Sequence, residues 1–417
     1  MDREKLDLKC CSYLKKLCKE TPERCVGSAG NKMATRFVSD EVSTLGWECE
    51  MPEFDAMDWK DGGVILHSEG ERFEAFVSPY SLGCTVEAQL CLASNIAELE
   101  QGDLSGKILL LHGEIAKEQI MPKNFVFYNP EEHQKIIALL EAKQPSAIIT
   151  ATGRNAALAG GVYPFPMFED GDFDIPSVYM TEEEGRRLAT YKDKPVILKS
   201  FSERIPAKAC NVIAHKGNKP SERIVITAHI DAKKGSPGAI DNATGVTVLL
   251  LLANLLKDYD GDRVIELVAL NGEDYYAASG QMNYISQNQE RFAGIVLNIN
   301  IDGAGYKEGK TAFSLFDLPD EMQKKANEMM EKFEGFIEGA QWPQGDHSIF
   351  IQYGRPAIAI TSQWFLDNID TQEITHTVKD NIEIVDCSKV IEIAKAIQWF
   401  ITGNLLPTYS KTIYPPG

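Results

Sequence analysis

The stretch AHIDAKKGSPGAIDNATG, Ala228 to Gly245, sets two side chains able to hold a metal, His229 and Asp241, at either side of a loop of small and flexible residues. The β-like run RIVITA leads into it, and an apolar helical run beginning near Thr244 leaves it. Two later β-like runs end in the same way: RVIELVALNG runs into Glu273 and Asp274, and GIVLNIN runs into Asp302. His376 follows in ITHTVKD. Taken singly, a strand ending in Asp ordinarily supplies the cap of the next helix, and a Glu-Asp pair ordinarily forms a solvated turn. Three successive strand ends bearing the same kind of ligand on one sheet edge ask for more, because ligands gather beyond the carboxyl ends of strands in open α/β sheets.

Two histidines and several carboxylates with no cysteine nearby suit zinc, or a similar borderline divalent cation, in a catalytic site rather than a structural thiolate site. The set His229, Asp241, Asp274, Asp302 and His376 is large enough for two ions sharing one carboxylate. Asp231, two residues beyond His229, is placed to accept the other imidazole N–H and fix its tautomer. Glu273 is left as an acid that can take a proton from water activated at the metals and hand it to a leaving amine.

The elements that must position these residues alternate from about Lys208 onward. Strand-like NVIAH, RIVITAH, RVIELVALN, GIVLNINID and RPAIAIT are interleaved with helices near 244–259, 278–288 and 386–401. The alternation predicts a mixed, largely parallel sheet flanked by helices. Residues 62–203 differ: short β-like runs such as GVILH, FEAFVS, VEAQLCLA and KILLLHG predominate, without clustered metal-type side chains. The simplest division is a domain built from residues 1–61 and 204–417, interrupted by a β-rich insertion at 62–203.

Composition limits the partners. Of 417 residues, 44% are apolar and 25% charged, the balance of a globular protein, and the net charge of -19 disfavours nucleic acid and anionic membranes. The N-terminal segment has scattered charges and no signal-like apolar run, and the nine cysteines form no CxxC pair, so a cytoplasmic protein with reduced thiols is expected. Assembly into a homo-oligomer stays open. AGYKEGKT, residues 304–311, satisfies a relaxed phosphate-loop pattern, but the following TAFSLFDLPD reads as strand and turn rather than the helix such a loop should open.

In this order HID, PGAIDNATG, NGED, NID and HT resemble the co-catalytic di-zinc exopeptidase family of the bacterial aminopeptidases and glutamate carboxypeptidase. GSAGN near Gly27 and GDHSIFIQYGRPAI from Gly345 are similar to further family segments, and DLSGKILLLHG makes the insertion resemble a protease-associated domain. The resemblance implies that Asp241 bridges two zinc ions. His229 and Asp274 would complete one site, Asp302 and His376 the other; Glu273 would be the base and Asp231 the orienter. It implies a metalloprotease hydrolysing N-terminal residues from peptides. The acidic pair is Glu-Asp where Glu-Glu is common, and Thr375 stands where several relatives have a tyrosine that steadies the intermediate, which turns attention to His347 as an oxyanion donor. Three alternatives stay open: a single-zinc glutaminyl-cyclase-like reaction, a carboxypeptidase using Arg355 or Lys379, and a metal-free binding protein on the same fold.

Overall fold

The computed structural model describes residues 2–21, 23–154 and 162–403. The chain divides into two compact units, residues 1–56, 208–368 and 375–417 forming one and residues 57–207 with 369–374 the other. Glu53–Lys60 and Glu203–Cys210 pair as a two-stranded ribbon, through which the chain leaves the first unit and returns to it.

The first unit is built on an eight-stranded sheet. Its strands lie in the order Glu48–Glu50, Val212–Lys216, Arg263–Leu270, Lys219–His229, Ile295–Ile301, Ala357–Ser362, Thr311–Phe316 and Phe336–Glu338. The four central strands, from Arg263–Leu270 through Ala357–Ser362, are mutually parallel, and antiparallel pairs flank them. Their sequences are near-continuous apolar runs, and Ile295–Ile301 and Ala357–Ser362 are buried throughout, as strands covered on both faces must be.

One helix decides how the sheet is covered. Thr244–Leu255 is apolar on every side, and every residue except Leu255 is buried. Such a helix has no solvent face to offer, so it packs inside the unit against Arg3–Lys15, Ala29–Thr44 and Cys387–Thr402 as well as against the sheet. The N-terminal helices therefore belong to the same core as the last one.

The second unit holds another eight-stranded sheet, in the order Glu71–Phe73, Val64–Ser68, Pro195–Ser200, Cys84–Ala93, Ile108–Leu111, Ala147–Thr152, Ser177–Thr181 and Phe76–Val77. It also carries helices Glu131–Lys143, which buries His133, Ile136, Ile137 and Leu140 along one stripe, and Glu182–Ala189. Residues 304–311 lead into the strand Thr311–Phe316, so the phosphate-loop pattern there opens no helix. Among the described residues no helix is long and apolar enough to cross a membrane.

Because Leu250 is fully buried within the central helix, Leu250→Ala is expected to lower the unfolding free energy by about 2–5 kcal/mol, read from the shift of a denaturant midpoint.

Candidate metal centre

The parallel strands bring the ligands together by register. Lys219–His229 lies between Arg263–Leu270 and Ile295–Ile301, with His229 opposite Leu270 and Thr227 opposite Asn300. Residues just beyond those ends, Glu273 and Asp274 on one side and Asp302 on the other, therefore flank His229. Asp241 reaches the same place by a fold-back of the loop after His229. Gly238 sits at φ +57°, and a Cβ there would lie 2.6 Å from both the Ala232 Cβ and the Asp241 carbonyl oxygen. Asn242 then donates to the Ile301 carbonyl at 2.8 Å and accepts the Gly245 N–H at 3.0 Å, which opens the central helix directly behind Asp241.

The two carboxylate oxygens of Asp241 face different imidazoles. Oδ1 lies 3.0 Å from His229 Nε2 and Oδ2 lies 3.2 Å from His376 Nε2. Asp302 Oδ1 approaches the same His229 nitrogen at 3.6 Å, and Asp274 Oδ1 approaches the same His376 nitrogen at 3.0 Å. The expected partition is thus corrected: His229 goes with Asp302 and His376 with Asp274, on opposite sides of Asp241. Ligand atoms of His229, Asp241 and Asp274, and again of His229, Glu273 and Asp302, lie within 4.8 Å of one another.

These contacts fit a cation better than hydrogen bonds. Although His229 Nε2 is 3.0 Å from Asp241, it is not aligned with any hydrogen-bond acceptor, and neither is Asp274 Oδ2 with any donor, despite burial of both atoms. Leaving buried polar atoms unsatisfied costs about 1–3 kcal/mol each. Ligands about 2.0–2.2 Å from one tetrahedral ion are separated by roughly 3.3–3.6 Å, close to the spacings found.

Backbone donors hold the acids in place. Asp231 Oδ1 accepts the Gly272 N–H at 2.8 Å and Oδ2 accepts the Asp274 N–H at 3.1 Å, so Asp231 fastens the Glu273–Asp274 turn to the end of the central strand. Its own backbone carbonyl, at 3.1 Å, is nearer to His229 Nδ1 than its carboxylate, at 3.7 Å. Both the backbone carbonyl and the carboxylate of Asp231 thus face His229 Nδ1, the carbonyl at the shorter distance. Asp380 accepts the N–H groups of Ile240 at 2.7 Å and Asp241 at 3.0 Å. Arg24, 2% exposed, donates to the carbonyls of Leu17, Ile230, Pro237 and Gly238, tying the first helical segment to both ends of the Asp241 loop.

Burial together with like charge sets the protonation of this group. Burial, then Asp302, Asp274 and Asp346, push Glu273 well above the usual carboxylate range, while His229 opposes the shift. Burial also raises Asp302, and it lifts Asp346 and Asp380 to about 7. Burial works against a charged His229 and His376, yet the surrounding carboxylates raise both. Two imidazolium groups do not balance so many carboxylates, and divalent cations in the same space would.

Asp346 and Asp380 are the functional neighbours that sequence reading missed. Asp346 accepts from the Gln281 amide at 2.7 Å and leaves Oδ2 buried without a hydrogen bond. Their only signals were position: Asp380 four residues after His376, and Asp346 inside GDHS. The expectation that His347 supplies an oxyanion donor is corrected. Its Nε2 is 2.9 Å from the Trp342 carbonyl, which can only accept, so the proton resides there and the buried Nδ1 is a bare acceptor. Burial holds its pKa down at about 4, so it has no second proton. Thr375 is half-buried beside His376. Arg355, 1% exposed, donates to the Ala293 and Ile295 carbonyls at the opposite end of a central strand and is not placed to hold a substrate carboxylate here.

Residues 211–401 match the model of peptidase family M28. The chain is 24% identical over 225 residues to the aminopeptidase YwaD of Bacillus subtilis, covering 52% of this chain and 49% of that protein. It is also 24% identical over 291 residues to the probable lipoprotein aminopeptidase LpqL of Mycobacterium tuberculosis, covering 67% and 54%. The chain spans about half the length of these relatives. Among solved structures its fold is shared by an aminopeptidase from Aneurinibacillus sp. strain AM-1, with TM-score 0.75, 19% identity and coverage of 98% of this chain and 97% of that one. BSAP, a zinc aminopeptidase from Bacillus subtilis, gives TM-score 0.71, 18% identity and coverage of 95% and 94%. The match of residues 211–401 to peptidase family M28, the fold shared with these aminopeptidases and the cluster of His229, Asp241, Asp274, Asp302 and His376 all point the same way as the motifs, toward the zinc exopeptidases.

Proposed function

We propose that this protein is a zinc-dependent aminopeptidase that removes N-terminal residues from peptides, with two zinc ions bridged by Asp241. The observation that carries the reading is the placement of the two Asp241 oxygens, each facing its own imidazole and each imidazole with its own further carboxylate. In this reading His229 and Asp302 complete one site and His376 and Asp274 the other. Bound there, the ions would supply Lewis acidity toward the scissile carbonyl and acidify water between them.

The chain's own residues supply the rest. Glu273 belongs to the same ligand-spaced group as His229 and Asp302 but is spare as a ligand, and its burial raises its proton affinity. It takes a proton from the attacking water and delivers it to the departing amine, a general-base role worth about 10²–10⁴ in rate. Asp231 and Asp380 act through backbone N–H groups, keeping Asp274 and Asp241 in position. With His347 unable to donate, metal held by His229, Asp241, Asp274, Asp302 and His376 would be left to stabilise the developing oxyanion. The relatives named aminopeptidases support release from the amino end, and the placement of Arg355 removes one carboxylate-binding candidate.

The inserted unit is proposed to be a protease-associated-like domain, on the strength of its DLSGKILLLHG segment. The scattered cysteines, with no CxxC pair, support residence in a reducing compartment such as the cytoplasm.

Purified protein reconstituted with zinc is expected to release amino acids from aminoacyl anilides and not from their N-acetylated forms. Cleavage of acetylated peptides from the carboxyl end would instead establish a carboxypeptidase. Glu273→Gln should lower kcat by roughly 10² or more with metal content unchanged; full activity in that variant would remove Glu273 as the base. Asp380→Ala, which removes the carboxylate that accepts the Ile240 and Asp241 N–H groups, should weaken zinc affinity about 10–100-fold in a chelator competition.

A further inference from the structure

Three cysteines widely separated in sequence meet where the first helix crosses the last. Cys11 Sγ lies 3.6 Å from Cys387 Sγ, and Cys10 Sγ lies 4.0 Å from the Cys387 carbonyl. The Arg3–Glu392 ion pair, at 3.4 Å, joins the same two helices nearby. Neither the metal centre nor the proposed reaction uses these thiols.

We propose that Cys11 and Cys387 are a peroxide-sensitive thiol pair that closes to a reversible disulfide between the first and last helices. A sulfur–sulfur separation of 3.6 Å is van der Waals contact, and a bond at about 2.05 Å needs only a small side-chain movement. Cys387 is the first residue of its helix, where exposed N–H groups favour a thiolate. Asp386, the capping residue, accepts from Ser388, leaving the thiol of Cys387 free to point toward Cys11. The roles are unequal. Hydrogen bonds from Cys10, then from Cys11, offset burial and bring the Cys387 thiol down to about 7. The Cys387 bond and burial raise Cys10, and burial raises Cys11. Cys10 is fully buried whereas Cys11 is exposed, so Cys11 is the thiol free to move.

The chemistry balances with a hydroperoxide as oxidant. The Cys387 thiolate attacks one peroxide oxygen, the O–O bond breaks, and a sulfenic acid forms with hydroxide or alkoxide leaving. The Cys11 sulfur then attacks the sulfenic sulfur; the S–S bond forms, the S–O bond breaks, and water departs with the thiol proton. A small thiol restores both cysteines by exchange. A thiolate metal site at this place is the competing reading. Among the described residues, however, the three-ligand groups with metal spacing contain none of these cysteines. Cys387 also follows the segment carrying His376 and Asp380, so the bond would fasten the far end of that segment to the first helix.

The test uses the full-length, zinc-loaded protein treated with hydrogen peroxide, alkylated, digested without reductant and mapped by mass spectrometry. A cross-linked peptide pair containing residues 10–11 and 387, lighter by two hydrogens and released by dithiothreitol, is expected. Cys10 and Cys11 share a tryptic peptide, so variants assign the bond: the link should persist in Cys10→Ala and vanish in Cys11→Ser and Cys387→Ser. Oxidation should raise the Tm of the wild type by about 3–5 °C and leave that of Cys11→Ser unchanged. A link lost in Cys10→Ala but kept in Cys11→Ser would overturn the pairing. Over-oxidation of Cys387 without any cross-link, or no oxidation at either residue, would overturn the proposal.

Discussion

The constraint on which the first unit depends is the confinement of many carboxylates to one poorly solvated place. Asp231, Asp241, Glu273, Asp274, Asp302, Asp346 and Asp380 share the carboxyl edge of the sheet with two imidazoles. Burial there raises the proton affinities of Glu273, Asp302, Asp346 and Asp380, and the neighbouring carboxylates add to the shift. The proposed pair of divalent cations would convert the same crowding into binding energy. The acids that are not ligands have another means of relief, since Asp231 and Asp380 each accept two backbone N–H groups.

The surrounding fold keeps this arrangement from relaxing. Neighbouring parallel strands end together, so the residues just beyond them cannot avoid one another without breaking register. The buried helix Thr244–Leu255 starts immediately after Asp241, and Asn242 anchors that start to the Ile301 carbonyl. From the other side Arg24 donates to three carbonyls around the Asp241 loop, those of Ile230, Pro237 and Gly238, and to that of Leu17 on the first helical segment. Asp231 holds the backbone of Asp274 in place, and the short Asp274 carboxylate reaches His376 at 3.0 Å.

Much of this was legible in the sequence because it follows local rules. A strand ending in a ligand is visible as an apolar run meeting His or Asp, and the sheet's central strands were readable from the same runs. Glycines at 235 and 238 and Pro237 marked a fold-back that would return Asp241 toward His229. Which carboxylate pairs with which imidazole was not legible, since it depends on the directions in which two Asp241 oxygens point across strands. Nor was the proton on His347, fixed by a carbonyl five residues away whose orientation only the folded loop defines. Asp380 and Arg24 escaped notice for a related reason: in isolation each reads as an exposed loop charge, and only packing turns it into a backbone anchor. The meeting of Cys11 with Cys387 is a product of helix crossing and leaves no trace in spacing.

Anomalous diffraction at the zinc edge from crystals of the reconstituted protein addresses the central claim directly. Two peaks about 3.5–4 Å apart are predicted, astride the Asp241 carboxylate, one within bonding distance of His229 and Asp302 and the other of His376 and Asp274. A single peak, or two peaks with the carboxylates exchanged between the imidazoles, would contradict it.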